Sequence, residues 1–243
     1  MKISKTHRIE DSDQLYVCIM DASPGMLEGD HYQIEMKLEP ESKVFLTNQA
    51  STKLHPARHE GALLNQTFYV DERSLLEYFP EPIVPFASSK TEMNTVFHLG
   101  PQAVLFYADI ITPGRLHRDE KFLYQSLRMN TEIYREGRLA VWDHFYLEPM
   151  IHRYHSTGAF EEYTHLGTFW LCSEHDGEHL LKRIRELFPA HSKVLMGTSL
   201  TAERDIHVRM LGHSVWELQS AIREIWKLSR LHLLNSQPLL IRK

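Results

Sequence analysis

Cysteine is scarce: Cys18 and Cys172 are the only two in 243 residues. Both sit in apolar strand-like runs, LYVCIM and FWLC, which predicts reduced core thiols rather than a disulfide framework. Long hydrophobic runs are missing too. None approaches the roughly 20 residues that a membrane-spanning helix needs. The opening MKISKTHRIEDSD has basic residues with no apolar stretch behind them, so no secretory signal is read and a cytoplasmic chain is expected. Lys and Arg gather into no stripe, and the net charge is −5; nucleic acid, which needs clustered cations, is not an expected partner. There is no G-x-x-x-x-G-K-[ST] loop and no G-x-G-x-x-G turn, which argues against nucleotide binding by this chain. The nearest approach to a G-x-S-x-G elbow, Gly197 to Thr201, lacks the closing glycine.

What is present is an ordinary globular balance, 42% hydrophobic and 24% charged. From Leu75 to Glu120 short apolar runs alternate with Pro, Gly and charge clusters, the rhythm of strands joined by tight corners. Strands are predicted at Gln14–Met20, His31–Leu38, Lys43–Gln49, Thr67–Asp71, Leu75–Phe79, Thr95–Leu99, Ala103–Thr112, Thr131–Arg135, Leu139–Leu147, Leu166–Cys172, Lys193–Leu200 and Asp205–Leu211. In HYQIEMKL, Tyr32, Ile34, Met36 and Leu38 alternate with polar residues, giving one buried and one wet face. Two helices come late. Ser173 and Asp176 resemble a capping box ahead of Leu180, Leu181, Ile184 and Leu187, with Pro189 as the stop. Ser214 and Glu217 repeat that pattern ahead of Val215, Leu218, Ile222 and Ile225. The expected fold is mainly β: many short stacked strands in one layered body with two late α-helices. Residues 1–13 are expected as a flexible segment and 14–243 as a single β-rich domain, with no internal repeat of fixed period.

Histidine is the outlier, with 16 copies, and imidazole suits nickel, zinc and copper. His175, Glu178 and His179 match the pattern H-x-x-E-H, which on one helical face would serve a metal-dependent hydrolase. Against this, His175 falls at the first turn and Gly177 weakens the helix there. The segment ITPGRLHRDEKF crowds Arg115, Arg118, Asp119 and Glu120 into six residues. It reads either as a solvated turn with local ion pairs or as an interaction edge where guanidinium forks orient carboxylates.

Several segments in order resemble the urease accessory protein UreD (UreH) family: PGMLEGDHYQIEM (24–36), FLTNQASTKLHP (45–56), LLEYFPEPIVPF (75–86), ITPGRLHRDEKF (111–122) and IREIWKLSR (222–230). Together they span nearly the whole chain. The chain departs from the family pattern at Ser23-Pro24-Gly25 and at Asp119, where glycines are more usual. The resemblance implies a mostly β body with two helices and a non-enzymatic role. It implies assembly with UreF and the GTPase UreG on apo-urease, and help in delivering nickel, by one proposal through an internal water-filled channel. No tightly bound cofactor is implied, and nickel only as transient cargo. By motif, Asp30, Gln49, Lys53, Glu77, Arg115, Arg118 and Glu120 are the polar positions implied to serve a partner surface or the conduit.

Overall fold

A computed structural model describes residues 2–4, 6–9, 12–175, 177–188, 193–237 and 239. Its strands are β1 (Lys2–Ile3), β2 (His7–Arg8), β3 (Leu15–Met20), β4 (His31–Leu38), β5 (Lys43–Asn48), β6 (Thr52–Leu54), β7 (Ala62–Val70), β8 (Leu75–Phe79) and β9 (Ile83–Pro85). They continue as β10 (Lys90–Leu99), β11 (Val104–Ile111), β12 (Ser126–Arg135), β13 (Arg138–Leu147), β14 (His165–Cys172), β15 (Leu195–Leu200) and β16 (Ile206–Gly212). The helices are α1 (Glu178–Leu187) and α2 (Val215–Leu234).

The strands form two facing sheets. The smaller has the order β13-β12-β10-β7-β4; the larger runs β1-β3-β5-β8-β11-β14-β16-β15, with β2, β6 and β9 attached beside it. Successive pairs β4/β5, β7/β8 and β10/β11 place one strand in each sheet, and like strands of successive pairs are parallel. The middle of the body is therefore a short solenoid of stacked coils. Gln33, Asn65, Asn94 and Asn130 occupy equivalent rungs. Their sequence spacing differs from coil to coil because corner lengths differ, which is why no fixed period is visible.

Strand alternation then sorts the side chains. Phe106, Phe169, Val208 and Met210 face outward from the larger sheet and are covered by Leu180, Ile184, Leu218, Ile225 and Trp226 of the helices. Leu46, Phe68, Leu76, Phe97, Leu105 and Ile133 fill the space between the sheets at one end, and Leu54, Leu64, Met93, Leu127 and Phe122 fill the other.

Several boundaries differ from the expectation. β7, β10 and β12 begin five residues or so earlier, because an amide ladder makes their polar first halves extended: Asn94 Nδ2 donates to Asn65 Oδ1 (3.0 Å) and Asn130 Nδ2 to Asn94 Oδ1 (2.7 Å). The opening residues, expected as flexible, contribute β1 and β2, both antiparallel to β3. Short strands β6 and β9, hidden among prolines, pair with each other. At α1 the N-cap is Gly177, not Ser173, whose N–H instead donates to Asp205 Oδ1; Asp176 and Pro189 lie outside the described residues. α2 follows its capping box, with the Ser214 side chain accepting from the Glu217 N–H.

Candidate functional site

Between the sheets lies a cavity of about 100 Å³, room for several waters at about 10–15 Å³ each. Met26, Leu64, Met93 and Met129 give it apolar walls, and its rim carries Asp21, Ser23, Lys53 and Glu81. The rim turn depends on Gly25, held at φ +133°, where an added Cβ would stand 2.4 Å from the Lys53 carbonyl oxygen. Inward positions of a strand normally carry apolar residues, yet here several are polar. Gln66 Nε2 donates to Thr95 Oγ1 (3.0 Å), and Tyr78 Oη donates to Gln66 Oε1 (2.8 Å). Tyr107 Oη donates to Asp109 Oδ2 at 2.9 Å.

Asp109 is the chemical centre of this group. Burial pushes its carboxyl up to about 6; Tyr107, Arg209 and Thr168 pull it down, and Asp143 adds to the rise. The polar row continues past it. Arg209 on β16 reaches across to Asp143 on β13 with Nη2 at 2.7 and 2.8 Å from the two carboxylate oxygens, tying one sheet to the other. Arg209 also lines a second, open groove of about 470 Å³ with Phe145, Tyr154 and Phe160. Next along the row His207 stacks on Trp170 at 3.9 Å. Burial, and then Arg209, push that imidazole down to about 4. Arg135 and Asp205 close the row at 2.8 Å, and burial lifts Asp205 to about 6. Two carboxylates, an imidazole and two guanidinium groups thus follow Asp109 between the sheets. The nearby Cys172 thiol is pushed well above its ordinary value by burial, which keeps it protonated and a poor ligand.

Of the seven polar positions singled out from sequence, Lys53 alone lines the cavity. Asp30 closes a turn, its Oδ2 accepting from the Leu27 N–H at 2.7 Å. Gln49 is exposed, and its N–H donates to the Ile19 carbonyl. Glu77 faces the opposite way, toward α2, where it accepts from Gln14 Nε2 (2.5 Å), Arg230 Nη1 (2.5 Å) and Trp226 Nε1 (2.7 Å). Arg115 lies over Phe86 at 3.9 Å and forks onto Glu120, which also accepts from the Ala87 N–H. Arg118 is exposed and lends positive charge to Glu120. The H-x-x-E-H pattern does not assemble. The helix starts at Glu178, which pairs with Arg204 at 2.9 Å, while His175 precedes it and His179 turns toward α2. Among the described residues no group of three or more His, Cys, Asp or Glu is placed to hold a metal ion.

The family model described as "UreD urease accessory protein" matches residues 1–243. The chain belongs to the UreD family. Relatives named "Urease accessory protein UreD" include one from Bacillus cereus, 26% identical over 243 residues, covering 100% of this chain and 89% of the relative. One from Lachnoclostridium phytofermentans is 29% identical with the same coverage, and one from Halalkalibacterium halodurans is 29% identical over 240 residues. The UreD family motifs read from sequence cover corners with their flanking strands and, at 222–230, the middle of α2. Among the inter-sheet residues, Tyr78 lies within the motif at 75–86 without having been singled out, and Gln66, Thr95, Tyr107, Asp109, Asp143 and Arg209 escaped that reading. The one signal that pointed to them is a carboxylate inside the apolar run VLFYADII.

Proposed function

We propose that this UreD-family chain is a non-enzymatic, cytoplasmic maturation scaffold that assembles with UreF and UreG on apo-urease and lets nickel pass through the polar row between its sheets. The observation that carries the reading is Asp109: a carboxylate at an inward strand position, beside a cavity with room for several waters, continued by Asp143, Arg209 and His207. A conduit must bind its cargo weakly, and isolated carboxylate, hydroxyl and amide oxygens meet that need better than a thiolate cage. At neutral pH Asp109 is ionised at a cost that a passing dication relieves. Phosphate chemistry is left to a partner, in keeping with a chain that has no phosphate loop of its own.

The test is nickel-dependent activation of apo-urease by UreF and UreG with this chain or its Asp109→Asn variant. The variant keeps the shape and the Tyr107 contact but loses the charge, so activation is expected to fall by about ten-fold, an effect of about 1.4 kcal/mol on the transit barrier. The surface change Lys227→Ala should leave it unchanged. Normal activation in cells lacking this chain, or no co-purification with UreF and UreG, would sink the reading.

A further inference from the structure

α1 and α2 pack together on the outer face of the larger sheet, away from the polar row. Their ends bring His179, in the first turn of α1, beside His232, in the last turn of α2. The ring centroids are 5.6 Å apart with 27° between planes, and both side chains are exposed. Other imidazoles in the chain stack on aromatic partners, His98 on Tyr69, His213 on Tyr163 and His207 on Trp170. Here imidazole meets imidazole, an arrangement that gains little when neutral and repels when protonated.

We propose that His179 and His232 form a two-imidazole clamp for a borderline divalent cation such as Ni²⁺, with water completing the coordination. A metal–nitrogen bond of about 2.0–2.1 Å sets each ring centroid about 3.2 Å from the ion. Two imidazoles on one ion then have centroids about 4.5 Å apart at a right angle and about 6.4 Å apart when opposed. The observed separation of 5.6 Å falls inside that interval, so the two rings stand at a spacing that one ion can bridge. Arg183 and His175 lie close enough to His232 to act on it electrostatically. The carbonyl end of α2 adds partial negative charge, which the N–H end of α1 beside His179 offsets. Two ligands with Arg183 nearby make a weak, fast-exchanging site, suited to cargo on its way elsewhere.

The inference takes only its choice of metal from the nickel reading, and it is tested without urease. Ni²⁺ is titrated by calorimetry into the purified full-length chain, and Cu²⁺ is used for electron paramagnetic resonance. The wild type should bind Ni²⁺ and show Cu²⁺ hyperfine structure from two nitrogens, while Mg²⁺ gives no heat. His179→Ala and His232→Ala should each weaken Ni²⁺ binding about ten-fold or more and remove the two-nitrogen signature, with metal-free melting unchanged. Ni²⁺ binding and Cu²⁺ spectra unaltered in the double variant would overturn the clamp. Clamp binding intact with no urease activation counts against the conduit alone; activation intact with no clamp binding counts against the clamp alone.

Discussion

At single positions, the buried ionisable groups decide what can be tested. Asp109 and His207 shift in opposite directions, both chiefly through burial. Asp109 rises from 3.8 to about 6, so its bound proton favours the fold below pH 4. That contribution, about 3 kcal/mol at 1.36 per unit, is lost as pH climbs through 6. His207 falls from 6.5 to about 4, so the fold pays for its desolvation as pH drops from 6.5 toward 4, by a similar amount. The two slopes oppose each other across the same window. Asp109→Asn should therefore gain stability relative to wild type by up to about 3 kcal/mol between pH 4 and 7, read from urea midpoints. His207→Gln should show the reverse slope. Parallel profiles for both variants and the wild type would remove the claim that these groups sit desolvated in the row. Because Asp109→Asn becomes more stable at pH 7, slower urease activation by that variant could not be blamed on unfolding.

Glu77 is a structural counterpart. Its side chain is fully buried and joins α2 to β8 and to the residue before β3. Glu77→Ala leaves the Arg230 charge buried without its anion, and such breaks cost about 3–5 kcal/mol. Replacing both, Glu77→Leu with Arg230→Met, should recover much of that loss, because no lone charge is then left inside. A double variant no better than Glu77→Ala would show that the hydrogen bonds from Trp226 and Gln14, not the uncompensated charge, carry the cost.

Among the elements, those whose cause is local were legible. β4 and α2 could be read from HYQIEMKL and from Ser214 with Glu217, since alternation and capping need no distant partner. The first halves of β7, β10 and β12 could not, because Asn65, Asn94 and Asn130 favour strand only once stacked on one another. The candidate site was hidden for a related reason. Asp109, Asp143 and Arg209 come from three strands far apart in the chain, and each alone reads as an ordinary strand residue. The motif ITPGRLHRDEKF was visible, but its geometry was not: Arg115 lies over Phe86 and forks onto Glu120, closing the corner. Gly114 makes that clamp feasible, at φ +129° with an added Cβ 2.4 Å from the Glu120 carbonyl oxygen. Gly114→Ala should open the corner at a cost of about 1–3 kcal/mol and speed proteolysis between Pro113 and Phe122. Arg115→Ala should do so more mildly. If urease activation falls with Arg115→Ala while the corner stays protected from protease, the guanidinium has a contact role beyond clamping.

Across the whole molecule the open sheets create edges that must be managed, since unpaired strand edges invite association. Three are blunted. β1 is only two residues long, β4 turns His31, Gln33, Glu35 and Lys37 outward, and at β15 Arg185 donates to Thr198 Oγ1 at 2.7 Å and to the Thr198 carbonyl. β13 is less guarded. It is ten residues long, ends the smaller sheet, and shows Leu139 and Trp142 to solvent, with Met150 and Ile151 exposed just beyond it. Its inward Asp143 and the register shift at Ile133/Tyr134 oppose strand addition, but Leu139 and Trp142 still stand exposed on it beside His144. The isolated chain is therefore expected to self-associate through this edge. Trp142 is 65% exposed, so Trp142→Lys should change folding stability by no more than about 0.5 kcal/mol while shifting light scattering toward monomer. Lysine at the exposed position 216, in place of Trp216 on α2, provides the comparison, because a helix surface offers no strand edge. If both substitutions reduce association equally, general surface hydrophobicity governs it; if neither does, β13 is not the edge through which the chains meet.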